Sequence, residues 1–116
     1  FRPQKDSPAR PHGMVTGTKP SVVYIGDEKH EVKDWSDVLE LIMTYLSESH
    51  SEQFPALQDD FPKQIANKAS LLRTPRQLTN GYFYETNMSA NRIFRLCEQV
   101  LDFVGARDLW RVETRN

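Results

Sequence analysis

The stretch Thr86-Asn87-Met88-Ser89-Ala90-Asn91-Arg92-Ile93-Phe94-Arg95-Leu96-Cys97-Glu98-Gln99-Val100-Leu101-Asp102-Phe103-Val104-Gly105 decides how this chain is read. Its apolar residues Ile93, Leu96, Cys97, Val100, Leu101 and Val104 recur at helical spacing, so they share one face of a helix. Ser89 is a natural N-cap, because its hydroxyl can accept an N–H that the first turn leaves unpaired. Asn87, two residues earlier, is the competing cap. Gly105 follows the last apolar residue, where a left-handed C-terminal position favours glycine. Burying these side chains at roughly 1.5–3 kcal/mol each makes the helix a large share of the core.

Strands flank this helix. On its N-terminal side Tyr82-Phe83-Tyr84-Glu85-Thr86 reads as a strand, preceded by the turn signal Asn80-Gly81. On its C-terminal side residues 109–114 alternate, with Trp110 and Val112 on one face. Farther out, Ser21-Val22-Val23-Tyr24-Ile25 and Glu28-Lys29-His30-Glu31-Val32 form a predicted β-hairpin about a short turn at Gly26-Asp27-Glu28. The second strand is weakly apolar, as suits a sheet edge.

A second amphipathic helix is predicted after Asp34-Trp35-Ser36-Asp37, with Asp34 or Ser36 as cap and Trp35 plugging the core. Val38, Leu41, Ile42, Tyr45 and Leu46 repeat at helical spacing, Leu39 widens the face, and the helix ends near 47–51. Residues 52–79 give weaker signals. A short helix is expected over about 51–57, and another over 62–69 with Pro62 at its first position. Leu71-Leu72-Arg73 reads as a brief strand and residues 74–78 as a one-turn helix or turn. The expected fold is a small α+β domain over residues 21–116. It has an N-terminal hairpin, two main amphipathic helices, short helices and a C-terminal strand. Residues 1–20, with four prolines, read as a flexible linker or tail. The chain begins at Phe1, which suggests a piece of something larger with an upstream domain.

Charged residues are 27% and hydrophobic residues 38% of the 116, as in ordinary globular proteins. No run of about 18 apolar residues is present, so no membrane partner is expected, nor is a secretory signal evident. The single cysteine, Cys97, lies in the apolar stripe and reads as a buried hydrophobe. A reducing, cytoplasmic setting fits it. The formal charge of −1 conceals segregation along the chain. Residues 1–20 carry four basic residues and one acid, residues 21–60 two lysines and ten acids, and residues 61–116 nine basic residues and five acids. Such a pattern suggests either a dipolar surface with a charged partner or two solvated faces of opposite sign.

Catalytic signatures are missing. His12, His30 and His50 are dispersed, and with one cysteine there is no zinc spacing. The glycines form no phosphate loop or dinucleotide fingerprint, and no Gly-x-Ser-x-Gly occurs. Asp59-Asp60 could be half of a metal site but suits a solvated loop better. No metal, cofactor or enzymatic activity is expected.

Two segments together carry a resemblance: Val22-Val23-Tyr24-Ile25-Gly26 to Val32-Lys33-Asp34-Trp35, and Tyr84-Glu85-Thr86-Asn87-Met88-Ser89-Ala90-Asn91-Arg92-Ile93 running to Val104-Gly105. They resemble a small C-terminal accessory domain of bacterial proteins, often found behind restriction- or phage-defence-type modules. The resemblance covers about residues 20–116, and the strand-to-helix junction is its most specific part. It implies a non-catalytic role beside another domain, and the basic tail agrees with an upstream neighbour.

Two functions follow as expectations. The first is a nucleic-acid-binding accessory module, with DNA preferred to RNA. It would use Lys63, Lys68, Arg73, Arg76, Arg92 and Arg95, with Asn87 and Asn91 at the helix start. Arginines and helix N-terminal amides suit phosphates, and asparagine can read adenine edges. The net charge of −4 over residues 21–116 confines such binding to one face. The second is a protein-interaction or oligomerisation module. In it the acidic and basic segments pair between copies, or the aromatic strand Tyr82-Phe83-Tyr84 supplies an interface.

Overall fold

Valine, tyrosine and isoleucine at 22–25 suit a pleated, half-buried surface, and they form the centre of an antiparallel sheet. The computed structural model describes residues 18–115. β1 (Lys19–Ile25) pairs with β2 (Glu28–Glu31) in a register that sets Val23 opposite His30 and Ile25 opposite Glu28. The connecting turn is Gly26-Asp27, with Gly26 at φ 60°. The mirror-image turns that match strand twist need a positive φ at this position, which glycine adopts without a Cβ penalty. β6 (Trp110–Arg115) lies on the other side of β1, giving the order β2-β1-β6. β2 is therefore an edge strand, as its polar sequence suggests. The sheet begins at Lys19, so Lys19 and Pro20 belong to it rather than to the expected tail, and the Thr18 carbonyl accepts the Trp35 indole N–H at 3.2 Å; residues 1–17 of that tail lie outside the described residues.

The three α-helices are α1 (Trp35–Ser49), α2 (Phe54–Asp60) and α3 (Ala90–Phe103). α3 is the helix that its apolar spacing predicts. Ser89 is the N-cap, and its Oγ accepts the Arg92 N–H at 3.4 Å. At the other end Gly105 has φ 78°, the Gly105 N–H donates to the Asp102 carbonyl at 3.1 Å, and the Ala106 N–H donates to the Leu101 carbonyl at 2.8 Å. These two bonds are the Schellman arrangement, which needs a left-handed residue just past the helix. Ile93, Leu96, Cys97, Val100 and Leu101 are buried, and Phe94 widens the stripe. At α1 the Asp34 carboxylate accepts the Asp37 N–H at 2.9 Å, while the Asp37 carboxylate reaches back to the Lys33 N–H at 3.0 Å. The first bond satisfies a donor that the first turn leaves open, and the second ties the residue before the cap to the helix.

The chain is mixed α+β, and its described residues divide into two compact units. One contains residues 18–38 and 89–115; the other is Leu39–Met88, so the division falls within α1. In the first unit the sheet buries Val23, Ile25, Trp110 and Val112, and α3 contributes its stripe. Phe94 sits between two indoles, with ring centroids 6.0 Å from Trp35 and 5.9 Å from Trp110. Trp35 is buried, as expected from its place at the helix start.

In the second unit, Leu39, Ile42, Met43 and Leu46 of α1 and Phe54 and Leu57 of α2 are fully or almost fully buried. Its sheet has the order β3-β5-β4, built from β3 (Ile65–Ala66), β4 (Pro75–Gln77) and β5 (Phe83–Glu85). Three local expectations fail here. Residues 62–69 are not a helix: the chain makes one turn and then enters β3, where Ile65 and Ala66 are fully buried and pair with Tyr84 and Phe83. Leu71-Leu72-Arg73 is not a strand, since Ala69–Leu71 is a 3-10 turn and bends follow it. Residues 74–78 are neither helix nor simple turn, because Pro75–Gln77 is a strand. All of its side chains are exposed, so no apolar alternation announces it. Pairing with central β5 imposes the extended backbone, and Pro75 is tolerated because β4 is an edge.

Candidate functional site

Glu98 lies on α3 between the buried pairs Leu96-Cys97 and Val100-Leu101, at the margin of the core. Its Oε2 accepts the indole N–H of Trp110 at 2.7 Å, and its Oε1 accepts Arg107 Nη2 at 2.9 Å and Nε at 3.2 Å. One carboxylate therefore fixes the start of β6 and the 3-10 turn Arg107–Leu109 to α3. Beside it is an open groove of about 230 Å³, lined by Phe94, Arg95, Glu98, Gln99, Asp102 and Arg107. The lining mixes two arginines with two carboxylates over an aromatic edge.

β6 is the other feature of this unit. The Leu109 carbonyl accepts the Gly26 N–H at 2.7 Å, and the Glu113 carbonyl accepts Ser21 Oγ at 3.2 Å, so both point toward β1. Backbone groups alternate sides along a strand. The N–H and C=O groups of Val112 and Thr114 and the Trp110 carbonyl therefore point to the far edge, the Trp110 N–H donates to the Arg107 carbonyl of the preceding 3-10 turn, and among the described residues β6 pairs with β1 alone. On the outer face of the sheet, Tyr24 lies between Lys29 and Arg111, and Val22 between Glu31 and Glu113. The Arg111 guanidinium stands 4.2 Å over the Tyr24 ring and bonds the Glu113 carboxylate at 3.0 Å. Leu109, at the head of the strand, is 51% exposed.

The residues expected from sequence fall in both units. Asn91, half-buried, and the exposed Arg92 and Arg95 occupy the first turns of α3. Lys63, Lys68, Arg73, Arg76 and Asn87 belong to Leu39–Met88, and all are exposed. Lys63 is in the turn before β3, and Lys68 precedes the Ala69–Leu71 turn. Arg76, on β4, pairs with Glu40 at 3.4 Å. Arg73 and Asn87 are brought together by Glu85, which no sequence signal singled out. Its buried carboxylate accepts the backbone N–H of Arg73 at 2.8 Å, of Thr74 at 3.1 Å and of Asn87 at 3.0 Å. Burial disfavours the charged form, but these amides and the Arg73 charge outweigh it and hold the Glu85 pKa below its ordinary value. Asn87 thus pins the strand-to-helix turn through its backbone.

Tertiary pairing also cancels the charge segregation seen along the chain. The acidic hairpin shares a unit with basic β6, and acidic 39–60 with basic 63–76. Residues 18–38 and 89–115 together carry eight basic and nine acidic residues, and Leu39–Met88 four basic and six acidic.

Other reactive groups have structural surroundings. Burial, assisted by the charge of Glu98, pushes the Cys97 thiol far above its usual range. His30 bonds Glu28 at 3.1 Å, and His50 lies 3.4 Å from the Tyr45 hydroxyl. Among the described residues no cluster of three His, Cys, Asp or Glu could hold a metal, and no helix is long and apolar enough to cross a membrane. Glu98, Arg107, Arg111 and Glu113 carry the geometry of this unit. Only the alternation around Trp110 and Val112 hinted at them. No family model, curated protein or solved structure matches the chain.

Proposed function

We propose that this chain is a non-catalytic protein-interaction module that self-associates through the sheet of the unit containing β6. The outer edge of β6 carries this reading: Val112 and Thr114 each offer a backbone donor and acceptor there and Trp110 its carbonyl, beside the exposed Leu109. An edge strand of this kind is a ready template for another strand. Both units are net acidic, and Glu98 and Asp102 share the groove with Arg95 and Arg107, an arrangement better suited to a polypeptide than to a phosphate polymer. The buried Glu85 and the largely buried Glu98 already accept structural hydrogen bonds, which supports a holding rather than a catalytic role. Such a module fits the accessory place beside another domain that the sequence resemblance implies. Sedimentation velocity over a wide concentration range tests the proposal: a sedimentation coefficient that rises with concentration supports it, and a monomer throughout refutes it.

Arg92 and Arg95, exposed in the first turns of α3, favour DNA binding as the second reading. Its signature is a duplex affinity that falls steeply with salt and is lost on joint Arg92→Glu and Arg95→Glu substitution. An unchanged DNA anisotropy at low salt removes it.

A further inference from the structure

Resting on the self-association proposed above, we infer the register of the interface: β6 pairs antiparallel with β6 of a second copy about a two-fold axis at Val112. The outward backbone groups are the N–H and C=O of Val112 and Thr114 and the carbonyl of Trp110. A strand added there must bring residues of the same parity opposite one another, so that inward side chains meet inward ones and charged outer ones meet outer ones. Centred on Val112, the register sets Val112 opposite the partner's Val112 as a pair that exchanges both bonds, and Trp110 opposite the partner's Thr114, where the Trp110 carbonyl accepts one bond because its own N–H is held by Arg107. On the outer face it sets Arg111 opposite the partner's Glu113, twice by symmetry.

Charge selects this register. Sliding by one step of like parity toward the C-terminus sets Glu113 against the partner's Glu113 and Arg111 against the partner's Arg115. Sliding the other way sets Arg111 against the partner's Arg111. Like charges directly opposite destabilise a sheet and opposite ones stabilise it. The Arg111 side chain is already laid across the outer face by Tyr24, 4.2 Å away, so its head needs little further ordering. One position beyond the pairs, the exposed Leu109 comes opposite the partner's Arg115, whose aliphatic stem can cover it. The product is one continuous sheet, β2-β1-β6 joined to its symmetry mate, ending on the short, charged β2 edges that resist further growth. A closed dimer is therefore favoured over a filament.

Charge reversal tests the register. Arg111→Glu and Glu113→Arg each turn both cross-strand pairs repulsive and should weaken homodimerisation by about tenfold or more. In an equimolar mixture the acidic pair of one chain faces the basic pair of the other, and a heterodimer should appear in sedimentation and native mass spectrometry. The like charges inside each chain persist in the mixture, so recovery cannot come from repairing the internal Arg111–Glu113 contact. Both side chains are about half exposed, and unchanged Trp110 near-ultraviolet dichroism certifies the fold. Wild-type dimers indifferent to both reversals, or a mixture that stays monomeric, would overturn the register while leaving self-association standing. A wild-type monomer at every concentration would overturn both.

Discussion

Replacing Glu85 by glutamine isolates one buried charge with little change of shape. In the wild type the carboxylate receives three backbone N–H groups, from Arg73, Thr74 and Asn87, at 2.8–3.1 Å. The amide offers one acceptor oxygen and turns its NH₂ toward donors. Each oxygen accepts two of the three N–H groups, so the amide oxygen keeps two donors and one charge-assisted bond is lost, at about 1.5 kcal/mol; the other two fall to about half their strength, so the variant should be about 3 kcal/mol less stable near pH 7. The difference depends on pH. The folded pKa of Glu85 lies below its ordinary value of 4.5, so its stabilising contribution is present above that value. It fades as the pH falls through the folded pKa. Urea unfolding of both proteins should therefore show a gap that is full near pH 7 and narrows steadily below about pH 4. A gap under about 0.5 kcal/mol at pH 7, or one of constant size down to pH 3, would refute the assignment of Glu85 as an ionised anchor.

Three further outcomes are expected. Gly105→Ala should cost about 1–2 kcal/mol, since an added Cβ meets no atom within 4 Å and only the left-handed backbone, at φ 78°, resists it. Thermal melting should detect a fall of several degrees. Glu98→Ala strips the partner from the indole N–H of buried Trp110 and should cost about 2 kcal/mol, with a shift in tryptophan emission. Unchanged emission would argue against the bond. Cys97 should resist thiol reagents in the folded protein and react only as urea unfolds it, because it is fully buried and its thiol is held protonated. Rapid labelling in native buffer would contradict that burial.

Periodicity and end chemistry are legible in the amino-acid sequence itself. The stripe Ile93 to Leu101, the Ser89 cap and the Gly105 stop define α3 locally, because each acts within one or two helical turns. Gly26-Asp27 between β-rich runs defines the hairpin for the same reason. Asp34 and Trp35 mark where α1 begins. These features depend on neighbours in sequence, so the sequence by itself determined them, along with the mixed α+β class.

Tertiary structure alone decided what depends on distant partners. Pro75–Gln77 has no apolar signal, and only the ladder with β5 makes it a strand. Ile65 and Ala66 leave the helical path that Pro62 suggested because pairing with Phe83 and Tyr84 buries both. Glu85 and Glu98 read as ordinary surface acids until folding brings amides, an indole and a guanidinium to them. The two charged halves of the chain dissolve once acidic β2 and basic β6 flank the same β1. The outward groups of β6 likewise exist only because β1 takes the opposite side of the strand. Backbone hydrogen bonding between distant segments leaves no composition or spacing in the chain, and the proposed interface rests on that kind of pairing.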